Sequence, residues 1–186
     1  AFYETLLGIP SFDHPIFQTN NISHLFDKAK NRNFSERLIS FVHLGLIDSR
    51  RSARSEMFNS LKSSKFNYKL YGPQSSICEY LETNEINQRL SKCIFGLVPG
   101  AASSSNSLSL NNEFIRYQFK GKIWEYMIAG CIPIIDHAPL ANKLGLIEGI
   151  HFLSVSAFNI SEFKRVNNIN KDDLRELSNN SFLFAK

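Results

Sequence analysis

The chain has 186 residues, of which 43% are hydrophobic and 20% are charged, and this balance is ordinary for a soluble globular domain. Its length is sufficient for one domain with a full core and is marginal for two. The formal charge of +4 is mild. It is compatible with an anionic small molecule, whereas nucleic-acid binding usually needs a denser basic face, so we expect no nucleic-acid partner.

The cysteines and apolar runs indicate where the protein resides. Cys78, Cys93 and Cys131 lie far apart and form no CxxC pair, which predicts buried free thiols in a reducing compartment. The apolar runs are all shorter than the roughly 20 residues of a transmembrane helix, and no signal peptide is visible. We therefore expect a cytoplasmic location, in solution or at a membrane surface.

Secondary-structure patterns divide the chain into an irregular N-terminal arm over residues 1–36 and a domain over residues 37–186. In that domain, short apolar runs alternate with helical patterns. The predicted strands are 38–46, 68–71, 93–98, 131–135 and 151–155. The predicted helices are 52–61, 76–90, a segment from about 120 to the C-cap at 130, and 172–184, with a short helical turn at 139–146. A capping-box pattern at Ser76 to Glu79 marks the start of the second helix.

This alternation predicts an α/β fold, a Rossmann-like three-layer sandwich whose parallel sheet is covered by helices on both faces. In such sheets the ligand binds in the crevice outside the carboxyl ends of the strands. The loops considered next all leave the carboxyl end of a predicted strand, so we expect them to contribute to one shared site.

Residues 119–135, FKGKIWEYMIAGCIPII, form the most informative segment. Lys120 and Lys122 flank Gly121 where a helix should begin, and positive charge at that position opposes the helix dipole. A bound anion would remove this cost, and phosphate is the usual ligand of a helix N-terminus. The segment therefore predicts an anion site at the start of this helix.

A second basic helix start lies in residues 46–55, where Arg50, Arg51 and Arg54 cluster. They are either a solvated basic turn, paired with Asp48 or Glu56, or a clamp that holds a diphosphate through guanidinium groups and helix amides. Two basic helix starts at one edge of a sheet favour the clamp.

Four further residues are candidates for ligand contact. Gly72 begins a loop that by itself is only a turn, and Pro99 begins a Ser- and Asn-rich loop that is either flexible or a mobile flap closing on a ligand. Glu125 shares a helix face with Lys122 and forms either a surface ion pair or an acceptor for a ribose diol. His137 follows a predicted strand and is either surface or a contact to sugar or phosphate.

Several familiar motifs are missing from the sequence. It contains neither the GxGxxG motif of dinucleotide-binding folds nor the P-loop motif. The remaining histidines, His14, His24, His43 and His151, stand at no metal-ligand spacing from cysteines or acids, so we expect no structural zinc.

Two runs, SKCIFGLVPG at 91–100 and EYMIAGCIPII at 125–135, resemble the signature of exostosin-like glycosyltransferases. A second likeness, to α1,3-fucosyltransferases, lies in an SxR…L…YG pattern between Ser52 and Gly72 and in GKIW at 121–124, where Gly121 replaces the usual glutamate. Residues 38–155 thus resemble the C-terminal, nucleotide-sugar-binding half of a GT-B glycosyltransferase.

The resemblance implies a nucleotide diphosphate sugar, a UDP- or GDP-sugar, as the ligand. It implies that Arg51 or Arg54 and Lys122 neutralise the diphosphate and that Glu125 holds the ribose. It also implies that no metal or cofactor is needed, because basic side chains and helix ends neutralise the phosphates, and the sequence accordingly has no DxD motif.

A GT-B enzyme uses two such domains, and the usual base of an inverting enzyme comes from the N-terminal one. The chain is too short to contain both halves, so we expect a fragment, a partner that supplies an acceptor domain, or a domain that only binds. The alternative from another class is a non-catalytic nucleotide- or phospho-ligand-binding module. A flavodoxin-like or response-regulator-like domain would need an acidic cluster at the strand ends, where only Asp48 and Asp136 qualify.

Overall fold

The computed structural model describes residues 34–45, 47, 52–72, 77–82, 85–99, 122–136, 141 and 144–186. Most of the predicted N-terminal arm, the loop after Pro99, Arg51 and His137 lie outside these residues. A short 3-10 helix, Phe34–Glu36, leads into the sheet. The described strands are β1 Ile39–Leu44, β2 Tyr68–Tyr71, β3 Cys93–Val98, β4 Ile132–Ile135 and β5 Leu153–Ser154. The described helices are α1 Ser52–Lys62, α2 Ile86–Leu90, α3 Lys122–Ile128, α4 Ile160–Asn167 and α5 Lys171–Ala185.

The five described strands form one parallel sheet in the order β2-β1-β3-β4-β5. The chain moves outward from β1 to β2 and then returns to the other side of β1 as β3. The strand order therefore reverses between β1 and β3, and such a reversal leaves a crevice outside the carboxyl ends of the two strands. This crevice is where a ligand of a doubly wound sheet binds.

Helices cover both faces of the sheet, each over its own core. On one face, α1 contributes Met57 and Leu61 and α4 contributes Phe163. On the other face, α3 contributes Ile123 and Met127. The three-layer α/β sandwich predicted from the sequence is therefore confirmed.

Phenylalanine rings fill the first of these cores around Phe41, which is fully buried. Its ring centroid lies 5.2 Å from that of Phe66, 5.3 Å from Phe95 and 4.9 Å from Phe163. These separations lie in the range of favourable aromatic pairs. These rings form a continuous aromatic contact between β1, β3 and α4.

The predicted helix over 76–90 is wrong in its first part, because helical residues begin only at Ile86. Residues 77–82 instead run beside β2, where the Glu79 N–H donates to Leu70 O at 2.9 Å and Gly72 N–H donates to Glu79 O at 3.0 Å. The capping-box pattern is a local preference, and backbone pairing with the open edge of β2 outweighs it. Tyr80, within this segment, is 63% exposed.

Two other boundaries differ from the prediction. Leu38 was expected to begin a buried strand, yet it is 79% exposed and β1 begins one residue later. Helix α4 was not predicted, although Asn159 caps it by accepting a hydrogen bond from the Glu162 N–H at 3.0 Å. An Asn followed three residues later by Glu is the pattern that could have revealed this helix.

Arg37 lies at the amino ends of the strands, where its Nη1 donates hydrogen bonds to Cys93 O and to Gly130 O. The Ser178 hydroxyl of α5 donates to the same Gly130 oxygen at 2.7 Å. Gly130 has a φ of 74°, as expected for the left-handed cap predicted at the end of α3. These contacts fix the C-terminal end of α3 to β3 and α5.

The three cysteines are free and buried, as predicted. Burial raises the pKa of the Cys93 thiol far above its usual value, and the neighbouring Cys131 raises it further. Cys93 therefore stays protonated at neutral pH and behaves as a small apolar residue.

We expect His151 to make the stability of the domain depend on pH. Its Nδ1 accepts a hydrogen bond from the Ile147 N–H at 3.0 Å, so the neutral ring carries its proton on Nε2. Burial holds the pKa of His151 below its usual value, so below about pH 6.5 the unfolded chain binds more protons than the folded one. We expect the free energy of unfolding to fall between pH 7.5 and 5, and to fall less in His151→Asn. Urea unfolding of both proteins at the two pH values measures this, and an equal or larger fall in the variant would contradict it.

Candidate functional site

Helix α3 delivers a lysine to the carboxyl end of β1. The Lys122 Nζ donates to Leu44 O, the carbonyl of the last residue of that strand. The next residue, Gly45, has a φ of 121°, and a Cβ built there would collide with the Lys122 ammonium. Only glycine combines this backbone conformation with so close an approach. The structure thus places a positive charge at the end of β1, beside the crevice between β1 and β3.

Tyr126 lies one helical turn after Lys122 and bridges the same two strands. The Leu44 N–H donates to the Tyr126 hydroxyl at 2.8 Å, and the hydroxyl donates to Leu97 O at 3.3 Å. Burial raises the pKa of Tyr126 well above its usual value, so the hydroxyl keeps the proton that it donates. The parallel pairing of β1 with β3 ends at Val42 and Gly96, and the hydroxyl connects the strands beyond that point.

His43 lies near the same point, and the sequence analysis did not predict it as a site residue. Its side chain is 1% exposed, and its Nδ1 lies 3.0 Å from Leu97 O. A carbonyl only accepts, so Nδ1 carries the proton and Nε2 of the neutral ring is an acceptor. A Cβ built on Gly45 would lie 3.8 Å from this Nε2. The only signal in the sequence is a histidine within the otherwise apolar end of a strand, FVHL.

The other predicted residues are distributed around this point. Gly72, directly after β2, lies against the Gly45 turn, since a Cβ on Gly72 would be 2.8 Å from Gly45 O. Pro99 directly follows β3 and is buried. Arg54 lies in the first turn of α1 and Glu125 in the first turn of α3, both partly buried.

The structure therefore brings Lys122, Gly45 and Gly72 together at the ends of two adjacent strands. The diphosphate clamp through Arg54 and the ribose contact of Glu125 stay predictions. Arg51 and His137 lie outside the described residues.

Within the described parts of the chain, no group of three or more His, Cys, Asp or Glu side chains could hold a metal ion. The helices in those parts are also all too short or too polar to cross a membrane.

No protein-family model matches the chain, and no curated protein matches its sequence. Solved structures do match. HepE from Anabaena in complex with UDP-glucose superposes with a TM-score of 0.54 at 12% identity, over 89% of this chain and 47% of that one. An α1,3-fucosyltransferase gives a TM-score of 0.54 at 15% identity, over 89% of this chain and 44% of that one.

A third structure is the C-terminal domain of LpcC, a glycosyl transferase group 1 family protein from Francisella tularensis. It gives a TM-score of 0.50 at 12% identity, over 84% of this chain and 91% of that domain. The chain thus spans about half the length of the first two proteins and most of the third. At these identities the likeness establishes the fold: the domain has the Rossmann-like α/β fold found in GT-B glycosyltransferases.

Proposed function

We propose that this domain binds a nucleotide diphosphate sugar and serves as the donor-binding half of a glycosyltransferase. The observation that carries the proposal is the Lys122 ammonium at the end of β1, next to the crevice where the strand order reverses. An ammonium has three N–H donors, so it can hold Leu44 O and a phosphate oxygen together. Similarity of fold to HepE, whose structure contains UDP-glucose, supports this ligand class.

In this proposal the positive charges act on the diphosphate. Lys122 and either Arg51 or Arg54 neutralise it, which also stabilises the negative charge that develops on the leaving diphosphate during transfer. Glu125 accepts hydrogen bonds from the ribose diol, and Gly72, Pro99 and His137 border the donor. The AGCIPII run favours an exostosin-like enzyme, and the donor is a UDP- or GDP-sugar.

Thermal unfolding with UDP- and GDP-sugars tests the proposal. At a ligand concentration of about 100 Kd we expect the melting temperature to rise by about 5–10 °C. Lys122→Met should weaken binding about 10- to 100-fold, because it removes a charge-assisted hydrogen bond to phosphate. Lys171→Met is the matched control: this lysine is exposed at the start of α5, and its loss should leave binding unchanged. No rise with any of these sugars would refute the proposal.

The transfer reaction needs more than this domain in our proposal. A second domain would supply the acceptor site and the base, in accord with a chain that spans about half of HepE and of the fucosyltransferase.

The alternative function is a non-catalytic module that only binds a nucleotide or phospho-ligand. It needs only the anion site at Lys122 and no second domain. Binding without transfer in an assay that includes the second domain would favour the module. Either form would work in the cytoplasm, where buried thiols stay reduced.

A further inference from the structure

We infer that Tyr126 is a positioning residue that holds the Lys122 ammonium at the crevice by fixing Leu44 between the two side chains. As a statement about ligand binding, the inference rests on the proposed function. As a statement about where the ammonium lies, it rests on geometry alone.

The two side chains hold both backbone groups of one residue. The Leu44 N–H donates to Tyr126, and the Leu44 carbonyl accepts from Lys122. Residues four apart on a helix lie on the same face, so α3 presents both groups to the end of β1. A lysine side chain is long and flexible, so a bond to a fixed carbonyl restricts where its charge lies. The Leu44 N–H belongs to the peptide before Leu44 and the carbonyl to the peptide after it, which the Gly45 N–H also holds by donating to Tyr71 O at 2.6 Å. Tyr126 therefore acts on the carbonyl through the backbone of Leu44.

The Tyr126 hydroxyl is anchored on the neighbouring strand. It donates to Leu97 O, and the same carbonyl accepts from His43 Nδ1 at 3.0 Å. The end of β1 is thus tied to β3 through two side chains after the direct pairing has stopped at Val42 and Gly96. The crevice can open here because the hydroxyl satisfies the buried N–H that a neighbouring strand would otherwise satisfy.

A phenylalanine at position 126 would fill the same space, so the hydroxyl can be tested separately from the ring. The ring packs over Gly96 and is fully buried, and Tyr126→Phe keeps those contacts. Without the hydroxyl, the Leu44 N–H loses its acceptor and Leu97 O loses one of its two donors. The matched control is Ser178→Ala, which removes a buried hydroxyl that donates to Gly130 O at 2.7 Å, at the other edge of the sheet.

Two measurements on the full chain test the inference. Nitrogen-15 NMR of lysine ammonium groups reports the hydrogen bond of Lys122, and the signal is assigned by its absence in Lys122→Met. We expect a slowly exchanging ammonium signal in the unaltered protein and in Ser178→Ala, and its loss in Tyr126→Phe. Calorimetric titration with UDP should show about tenfold weaker binding for Tyr126→Phe and a change of less than about twofold for Ser178→Ala. Both variants should melt at a lower temperature, so lost stability alone does not explain the difference.

The outcomes separate the inference from the proposed function. An unchanged ammonium signal in Tyr126→Phe overturns the inference, and so does UDP affinity that is equal in the two variants. If UDP does not bind the unaltered protein while the signal is lost only in Tyr126→Phe, the proposed function fails and the positioning of the ammonium stands. If circular dichroism shows that Tyr126→Phe does not fold, the inference is tested instead by hydrogen exchange of the Leu44 amide in the unaltered protein. Fast exchange there would overturn the inference.

Discussion

Gly96→Ala should destabilise the domain by about 3 kcal/mol or more, the largest effect that we expect from adding a single carbon. A Cβ on Gly96 would lie 2.5 Å from both Cδ atoms of the Tyr126 ring. The ring is fully buried and its hydroxyl is bonded to Leu44 and Leu97, so it cannot move aside without breaking those bonds. The free energy of unfolding from urea denaturation measures the effect.

Gly149→Ala is the control for this substitution. A Cβ on Gly149 would meet no atom within 4 Å, although the φ of 77° is unfavourable for alanine. That backbone conformation costs about 1–2 kcal/mol, so the control should lose clearly less stability than Gly96→Ala. Equal losses would show that the contact with Tyr126 costs no more than the backbone strain at position 149, and would contradict the prediction.

Phe41→Ala should cost about 3–5 kcal/mol of folding free energy. Its ring is fully buried and contacts Phe66, Phe95 and Phe163, which belong to three different parts of the chain. Removing it leaves a cavity that the rigid β1 and β3 strands cannot close, so the loss includes a cavity term as well as the lost burial. Denaturant unfolding followed by circular dichroism measures it.

The matched control is Leu38→Ala, three residues earlier in the same segment. The Leu38 side chain is 79% exposed, so its removal should change stability by no more than about 0.5 kcal/mol. A large loss in this control would show that residue 38 is buried in solution and would contradict the observed start of β1.

The fold could be predicted from sequence because its strands are short apolar runs bounded by clear turn residues. Two predicted strands, 68–71 and 93–98, have the bounds that the structure gives. The predicted helix is wrong at residues 77–82 for a physical reason. A capping pattern depends only on neighbours in sequence, whereas the pairing of Glu79 with β2 depends on tertiary structure. Similarly, a period-based reading missed α4, because eight residues contain little more than two helical turns.

The site could be predicted only in part. Basic charge at a helix start marked Lys122 as a candidate, and the structure places its ammonium at the carboxyl end of β1, the end of the strands where a ligand was expected. Nothing in the sequence shows that Lys122 and Tyr126 bond to the same residue, Leu44, because this depends on how far α3 lies from β1. His43 could not be distinguished from a core histidine for the same reason. A charge pattern can therefore predict an anionic ligand, whereas the packing of a helix on a strand decides which side chains position the charge.

We expect the segment beside β2 to affect how the molecule behaves in concentrated solution. β2 is an edge strand of the described sheet, and an open edge invites another molecule to add a strand. Glu79 pairs with the carboxyl end of β2 through its backbone, and its side chain forms an ion pair with the exposed Lys69 of the strand at 3.4 Å. A lysine on an edge strand discourages intermolecular pairing, because a second strand would have to bury its charge. We therefore expect Lys69, together with the segment that contradicted the predicted helix, to protect this edge of the sheet from pairing with another molecule.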